Sequence, residues 1–323
     1  MASDNKIKVC VLMGGVGEER EISIQSGSCV EQALRESGID VVSADISPEK
    51  LDILGDGSMD VFFIALHGRF GEDGQLQEIL EGRSLVYTGS GPESSRRAFD
   101  KLASKRVFAE AGVATPAAID FDGSGDMRQL EKRLEGFAEA YVVKPLKQGS
   151  TIGVSIVDDA REVVAAARRC QEEFGDCMIE EYIKGREVTV GILGNRALPV
   201  IEIRAKGGFY DYQAKYIDEE TEFLFDTVEA GVSVKIQTDA LRCFAALGLR
   251  HFARIDFRLG EDGKPYVLEA NTIPGLTSHS LVPKAAAKAG ISMSKLCGEI
   301  IEAALKDSGR NEAAVNTGMK AKK

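Results

Sequence analysis

The stretch from Ala253 to Asn271 reads ARIDFRLGEDGKPYVLEAN. Two β-rich runs flank Asp262-Gly263, a dipeptide suited to a two-residue type I′ turn, so the stretch predicts a β-hairpin. Folding the chain about that turn sets Asp256 opposite Glu269 and Arg254 opposite Asn271. Side chains on a strand alternate faces. Ile255, Phe257, Leu259, Tyr266, Leu268 and Ala270 are therefore expected on one apolar face, and Arg254, Asp256, Glu269 and Asn271 on the other. Pro265 offers a way to widen the turn. Directly opposed side chains lie about 5 Å apart at Cβ, where like charges repel. A hard divalent cation such as Mg²⁺, which takes carboxylate and amide oxygens, would offset that repulsion. The bland alternative is that Arg254 bridges two surface acids.

At 323 residues the chain is long for one core, which predicts two or three domains. Hydrophobic residues make up 44% and charged residues 28%, the balance of a soluble globular protein. The net charge of −11 disfavours wrapping nucleic acid or lying on an anionic membrane, so an anionic substrate must meet local positive charge. Six scattered cysteines with no C-x-x-C pair suit a reducing cytoplasm. The apolar run before Gly14-Gly15 is too short for a signal peptide, and the longest wholly apolar run is Val61 to Leu66.

Along the chain, strands at Ile7–Met13, Val41–Asp45, Val61–Leu66 and Leu85–Tyr87 alternate with helices, the pattern of a parallel sheet with helices on both faces. This first unit is read as residues 1–97. A helix over Ser94–Ala111 leads into a second unit, 98–186, with strands at Tyr141–Pro145, Val154–Val157 and Met178–Ile183. A third unit, 187–308, holds long strands at Glu187–Leu193 and Ala197–Ile203, a polar loop over 205–231, a helix, the hairpin and two terminal helices. Residues 309–323 are polar and aperiodic and read as a disordered tail.

Several constellations carry chemistry. Gly15-x-Gly17-x-x-Arg20 lacks the third glycine of a dinucleotide fingerprint, although Asp45 keeps a Rossmann alternative open. Lys144 ends a strand before Gly149-Ser150-Thr151-Ile152-Gly153, whose small residues let backbone approach phosphate; an ordinary hairpin loop is the competing reading. Glu180, Tyr182, Ile183 and Glu187 lie along a strand–turn–strand suited to a base and a ribose, or to a solvated edge. Tyr210, Tyr212, Lys215 and Tyr216 crowd a long polar loop, as in a mobile lid that brings a lysine to a γ-phosphate. His67 opens a loop at the end of a strand. His251 reads as structural, and the three histidines are too dispersed for zinc.

GGVGEEREISIQSG, ALHGRFGEDGQLQ, YTGSG, FDKLASK, VVKPLKQGSTIG, FYDYQAKY, ARIDFRL and LEANTIPGLTSHSLVP occur in one order over nearly the whole chain. Together they resemble the ATP-grasp ligases, and within them the D-alanine–D-alanine ligase family. Gly17 stands where a serine is common. The resemblance implies an N-terminal parallel-sheet domain followed by two ATP-grasp subdomains, with 205–231 as the lid. It implies that Asp256, Glu269 and Asn271 hold two Mg²⁺ (or Mn²⁺) ions, that Lys101 and Lys144 contact the inner phosphates, and Lys215 the γ-phosphate. Glu180, Tyr182, Ile183 and Glu187 would line the adenosine site. Glu19 would receive the ammonium of the first D-alanine, with His67 close by. Arg254 and the Gly275 N–H would form the oxyanion site, and Ser280 and Leu281 would hold the carboxylate of the second D-alanine. Ser150 and Tyr216 would join Glu19 in linking the loops over the closed site.

The implied reaction joins two D-alanines through an acylphosphate, with ATP as cosubstrate, for peptidoglycan precursors, in a cytoplasmic homodimer. A depsipeptide ligase joining D-alanine to D-lactate is the runner-up, and the resemblance sets Tyr216 against it. An ATP-binding regulator without catalysis conflicts with the three metal ligands and Arg254. A Rossmann dehydrogenase lacks its fingerprint.

Overall fold

The structure is a computed structural model that describes residues 7–123, 127–206 and 220–309. Tyr210, Tyr212, Lys215 and Tyr216, the centre of the expected lid and the tail beyond residue 309 lie outside the described residues. Three sheets organise the rest.

Strands β1 (Lys8–Gly14), β2 (Asp40–Ile46) and β3 (Val61–Ile64) form a parallel sheet in the order β2-β1-β3. β1 is buried almost end to end, as a covered parallel strand must be. Helix α1 (Arg20–Glu36) turns Ser23, Ser26, Gly27, Val30, Ala33 and Leu34 inward, a helical stripe. A Cβ at Gly27 would lie 2.6 Å from the Met13 side chain, so glycine is what lets α1 lie against β1. The expected strand at Leu85–Tyr87 contributes only a bridge, Phe62 to Tyr87, before Gly89 (φ +94°) turns the chain away. Asp45 is no ribose ligand here: Arg20 holds it in a fork at 2.8 and 2.6 Å.

After α2 (Gln75–Gly82), the single helix expected over 94–111 is two, α3 (Pro92–Phe99) and α4 (Lys101–Glu110). Asp100 is extended (φ −86°, ψ 106°), and its carboxylate accepts the Ala103 N–H at 3.0 Å. N-cap chemistry thus breaks the helix and sets Lys101 at the start of α4.

The second sheet is antiparallel, ordered β4 (Ala118–Phe121), β7 (Cys177–Glu181), β5 (Tyr141–Pro145), β6 (Ser155–Val157). With α5 (Met127–Leu134) and α6 (Ala160–Phe174) it encloses its own core around Val143, Val163, Ala167 and Ile179.

The third sheet comprises β8 (Gly185–Leu193), β9 (Arg196–Ala197), β10 (Ile201–Arg204), β11 (Glu222–Leu224), β12 (Phe252–Gly260) and β13 (Pro265–Asn271). β11 lies inside the polar segment read as loop and pairs with β10. Val188, Val190, Ile255 and Phe257 share a core with Phe108 of α4 and Ile236 of α7 (Ala230–Ala246). Ala98 and Val113 also belong to this core, so the apolar side chains of residues 98–113 pack with the third sheet, while Lys101 and Lys105 reach the second unit by polar bonds. Leu193, Ile201, Phe252 and the helices α8 (Leu281–Lys288) and α9 (Met293–Asp307) merge with the N-terminal core.

The hairpin corrects two readings whose errors cancel. Asp262 is not in the left-handed region and Gly263 is (φ +76°), so the turn is not type I′. The Gly263 N–H bonds the Gly260 carbonyl and the Gly260 N–H bonds the Lys264 carbonyl, a three-residue loop closed by a left-handed glycine. That extra loop residue is recovered by a bulge after Asp256: Phe257 pairs with Val267, while Asp256 still faces Glu269 and Arg254 faces Asn271. The faces change accordingly. Val267 is fully buried in the apolar core, and Leu268, expected there, turns to a cleft on the other side.

Urea unfolding should separate these neighbours. Val267→Ala should cost about 2 kcal/mol of stability, and Leu268→Ala well under half of that. Equal losses would mean that the bulge does not exist in solution.

Candidate active site

Two adjoining cavities lie along the polar face of β12 and β13. The larger, about 470 Å³, is lined by Glu19, His67, Gly149, Ser150, Arg254, Asn271, Gly275, Ser280 and Leu281. Glu19 is the N-cap of α1 but makes no side-chain cap bond, which leaves its carboxylate for the cavity. It enters between two glycines: a Cβ at Gly68 would meet its Oε2 at 2.4 Å, and one at Gly149 at 2.8 Å. The Ser150 hydroxyl donates to Glu19 Oε1. Ser150 and Thr151 both sit at positive φ (53° and 62°), a conformation costly for residues with a Cβ and found where a site dictates the backbone. His67 is buried, with Nδ1 2.8 Å from the Ile273 carbonyl and Nε2 2.9 Å from Ser26 Oγ. Burial holds its pKa below the ordinary imidazole value, against the pull of Glu19.

The smaller cavity, about 100 Å³, lies between the second and third sheets. It is lined by Lys101, Lys144, Glu180, Tyr182, Ile183, Glu187, Asp256, Leu268 and Glu269. Lys144 Nζ donates to buried Glu180 at 2.7 Å, and Lys105 pairs with the other oxygen. Burial pushes the Glu180 carboxyl up, but the two ammonium groups outweigh it and hold it below the usual range. Lys105 is pushed down to about 8 by its own burial, opposed by Glu180. Lys101 Nζ donates to the Gln148 carbonyl at 2.7 Å and lies 3.2 Å from Glu269.

Every described residue that the sequence nominated thus lines one cavity or the other; Lys215 and Tyr216 lie outside the described residues. The polar face of the hairpin borders both cavities, with Arg254 and Asn271 on the larger and the opposed pair on the smaller. Asp256 accepts two bonds from Arg254 (2.8 and 2.7 Å), one from Asn271 Nδ2 (2.9 Å) and one from Thr189 Oγ1. Among the described residues no three His, Cys, Asp or Glu side chains cluster for a metal. The donor set here is two carboxylates facing in register and a neighbouring amide, hard oxygen ligands that fit Mg²⁺ or Mn²⁺ and not a thiophilic metal.

Sequence reasoning missed four contributors. Arg258 donates to the Tyr182 hydroxyl (2.9 Å) and the Ile183 carbonyl (3.1 Å), with its guanidinium 5.4 Å from the Tyr182 ring centre, and so fixes the segment beside the smaller cavity. Lys105, Leu268 and Glu72 are the others. Their one signal was position: Arg258 shares a strand face with Asp256, and Glu72 lies in the HGRFGEDG loop after His67. Glu72 accepts the Gly68 N–H at 2.8 Å and the Ile273 N–H at 3.2 Å. Burial and the nearby Glu19 charge push its carboxyl up to about 8.

The family model described as D-ala D-ala ligase C-terminus matches residues 107–302. The chain belongs to the D-alanine–D-alanine ligase family. A D-alanine–D-alanine ligase of Bordetella petrii is 43% identical over 308 residues, 93% of each chain. The crystal structure of a D-alanine–D-alanine ligase from Bacillus anthracis superposes with a TM-score of 0.83 at 37% identity, covering 94% of this chain and 99% of that one. The Bacillus anthracis ligase complexed with ATP gives 0.82 at 34% identity, covering the same shares. The three-sheet architecture is therefore that of this ligase family.

Two measurements probe the site without turnover. Asp256→Asn leaves the donors of Arg254, Asn271 and Thr189 poorly matched, and should lower stability of the nucleotide-free protein by about 1–3 kcal/mol. Glu269→Gln, at a more open position, should change it by less than about 1 kcal/mol. Equal melting temperatures for the two variants would contradict the asymmetry. For Glu72, the folded-state pKa of about 8 exceeds the ordinary 4.5, so the folded protein binds the extra proton. Its contribution is complete below pH 4.5 and is lost as pH rises through 8. The stability difference between wild type and Glu72→Gln should therefore shift in the variant's favour across that window. A flat difference would place the Glu72 pKa at its ordinary value.

Proposed function

We propose that this chain joins two D-alanine molecules into D-alanyl-D-alanine, converting ATP to ADP and phosphate. The observation that carries this reading is the adjoining pair of cavities. One is lined by lysines, carboxylates and a Tyr182–Leu268 apolar pair suited to a nucleotide. The other holds a carboxylate, a guanidinium and backbone donors suited to amino acids. The same hairpin and the same Gln148–Ile152 loop border both, so a phosphoryl group can pass across the boundary.

In the first step the carboxylate of the first D-alanine attacks the γ-phosphorus. The bond to the bridging oxygen breaks, ADP leaves and an acylphosphate remains. Glu19 holds the ammonium of that D-alanine, and Arg254 orients its carboxylate. Lys101 and Lys144 hold the inner phosphates; on ATP binding Lys144 exchanges Glu180 for phosphate while Lys105 stays on Glu180. Glu180, Tyr182, Ile183 and Glu187 line the adenosine. Asp256, Glu269 and Asn271 would hold two Mg²⁺ or Mn²⁺ ions, which when bound neutralise phosphate charge. In the second step the deprotonated amine of the second D-alanine attacks the acyl carbon and phosphate leaves. Arg254 and the Gly275 N–H face the oxyanion, each such donor being worth roughly 3 kcal/mol. Ser280 and Leu281, at the N-terminus of α8, hold the second carboxylate. Lys215, at the γ-phosphate, and Tyr216, with Ser150 and Glu19 over the closed site, enter on the sequence resemblance. The six free thiols suit a reducing compartment, in keeping with a cytoplasmic enzyme that supplies cell-wall precursors.

Phosphate release from ATP should require D-alanine, fall to background with L-alanine, and yield one dipeptide per ADP. Absence of D-alanyl-D-alanine would refute the reading. A depsipeptide formed preferentially from D-alanine plus D-lactate would replace it.

A further inference from the structure

We propose that Ser26, His67 and Glu72 are positioning residues that fix the Ile273–Thr277 turn, so that the Gly275 N–H stands ready for the oxyanion of acyl transfer. The proposal rests on the ligase reading above. His67 Nδ1 lies 2.8 Å from the Ile273 carbonyl, an acceptor only, so Nδ1 carries the ring proton. Nε2 must then accept, and the Ser26 hydroxyl 2.9 Å away donates to it. Ser26 Oγ in turn accepts the Leu276 N–H at 3.2 Å. Glu72 completes the frame: one oxygen accepts the Ile273 N–H at 3.2 Å and the other the Gly68 N–H at 2.8 Å. Both polar backbone groups of Ile273 are thereby held from the loop after β3, and Leu276 is held from α1.

The N–H groups of the turn are almost fully used. Ile273 gives its N–H to Glu72, Leu276 to Ser26 and Thr277 to Ser280 Oγ at 3.0 Å, and Pro274 has none. Among the described residues, Gly275 alone in 273–277 has an N–H that no protein acceptor takes up, and Gly275 lines the larger cavity. A Cβ there would lie 2.7 Å from Ser280 Oγ, so a side chain at this position would displace the Ser280 hydroxyl. Ser26 and His67 are buried, and Ser26 does not border the cavity, so it acts on the chemistry only through what it holds, the turn at Leu276 and the His67 ring. An oxyanion donor works because it is already in place, and a displacement of about 1 Å can cost roughly 100-fold.

The test compares two rates in one solution. Positional isotope exchange in ATP labelled at the β,γ-bridge reports reversible phosphoryl transfer to the first D-alanine, and dipeptide formation reports the second step. Ser26→Ala and Glu72→Ala should slow dipeptide formation about 10–100-fold while exchange persists, so that the ratio of exchange to dipeptide rises by a similar factor. Glu72→Gln, which keeps one acceptor, should lie between Glu72→Ala and wild type. Both rates scale with the folded fraction, so partial unfolding leaves the ratio unmoved. An unchanged ratio in Ser26→Ala and Glu72→Ala, at full or reduced rate, overturns the positioning role. A wild type that forms no dipeptide fails the ligase reading instead.

Discussion

Two carboxylates, Asp256 and Glu269, face each other across a pair of antiparallel strands, and the rest of the site is arranged around that repulsion. Unit charges about 5 Å apart repel by roughly 3 kcal/mol at an effective dielectric near 20, a large fraction of the stability of a domain. The protein counters it from two directions. Arg254, two residues along the same strand, binds Asp256 with both ends of its guanidinium fork. Lys101, at the first turn of α4, reaches Glu269. Because Asp100 breaks the helix at the residue before, the lysine is delivered at a helix N-terminus and not in its middle. Arg254 and Lys101 are thus the cations that make the opposed pair tolerable.

The packing decides which parts of this arrangement are rigid. The N-terminal sheet, α1, α8 and α9 share one apolar core, so Glu19, Ser26, His67 and the Ile273–Leu281 segment belong to a continuous body. The second sheet has a separate core, and its loop carries Ser150 to Glu19 across the larger cavity. Contact across that gap is therefore polar and local, the sort of contact that can be made and broken as substrates enter and leave. The buried triad of Lys105, Lys144 and Glu180 is the corresponding polar element on the nucleotide side. Its two positive charges around one negative charge keep the carboxylate ionised in a place where burial alone would protonate it.

Local pattern was enough to read most elements and, through a run of matching motifs, the family. It was not enough for the hairpin's interior. The opposed pair was placed correctly because a turn one residue longer than expected is offset by a one-residue bulge between it and the pair. The longer turn had one hint in ARIDFRLGEDGKPYVLEAN, Pro265, but the bulge had none, since tertiary partners settle it. The Val267 N–H bonds the Ala114 carbonyl, and the Val267 carbonyl accepts from Thr115. Its side chain fills the core beneath α4 and α7. Leu268 is left over and turns to the cleft. Arg258 and Glu72 went unnoticed for a related reason. A charged residue on a strand face or in a loop is ordinarily solvated, and only the neighbours brought by the fold make these two part of the site.

The position of Arg254 ties the two cavities into one device. Its guanidinium borders the larger cavity, while its orientation is set by a carboxylate that borders the smaller one. A change in charge around Asp256 acts directly on Arg254, because the two form a bidentate pair. On the proposed reading, nucleotide occupancy and orientation of the reacting carboxylate would be coupled through this ion pair. The turn that carries Gly275 is held by a different set of bonds, from Ser26, His67 and Glu72, which do not touch Asp256. One oxyanion donor would therefore respond to the nucleotide side and the other would stay fixed. That division suits a reaction whose first step needs phosphate charge nearby and whose second step proceeds after the phosphoryl group has moved.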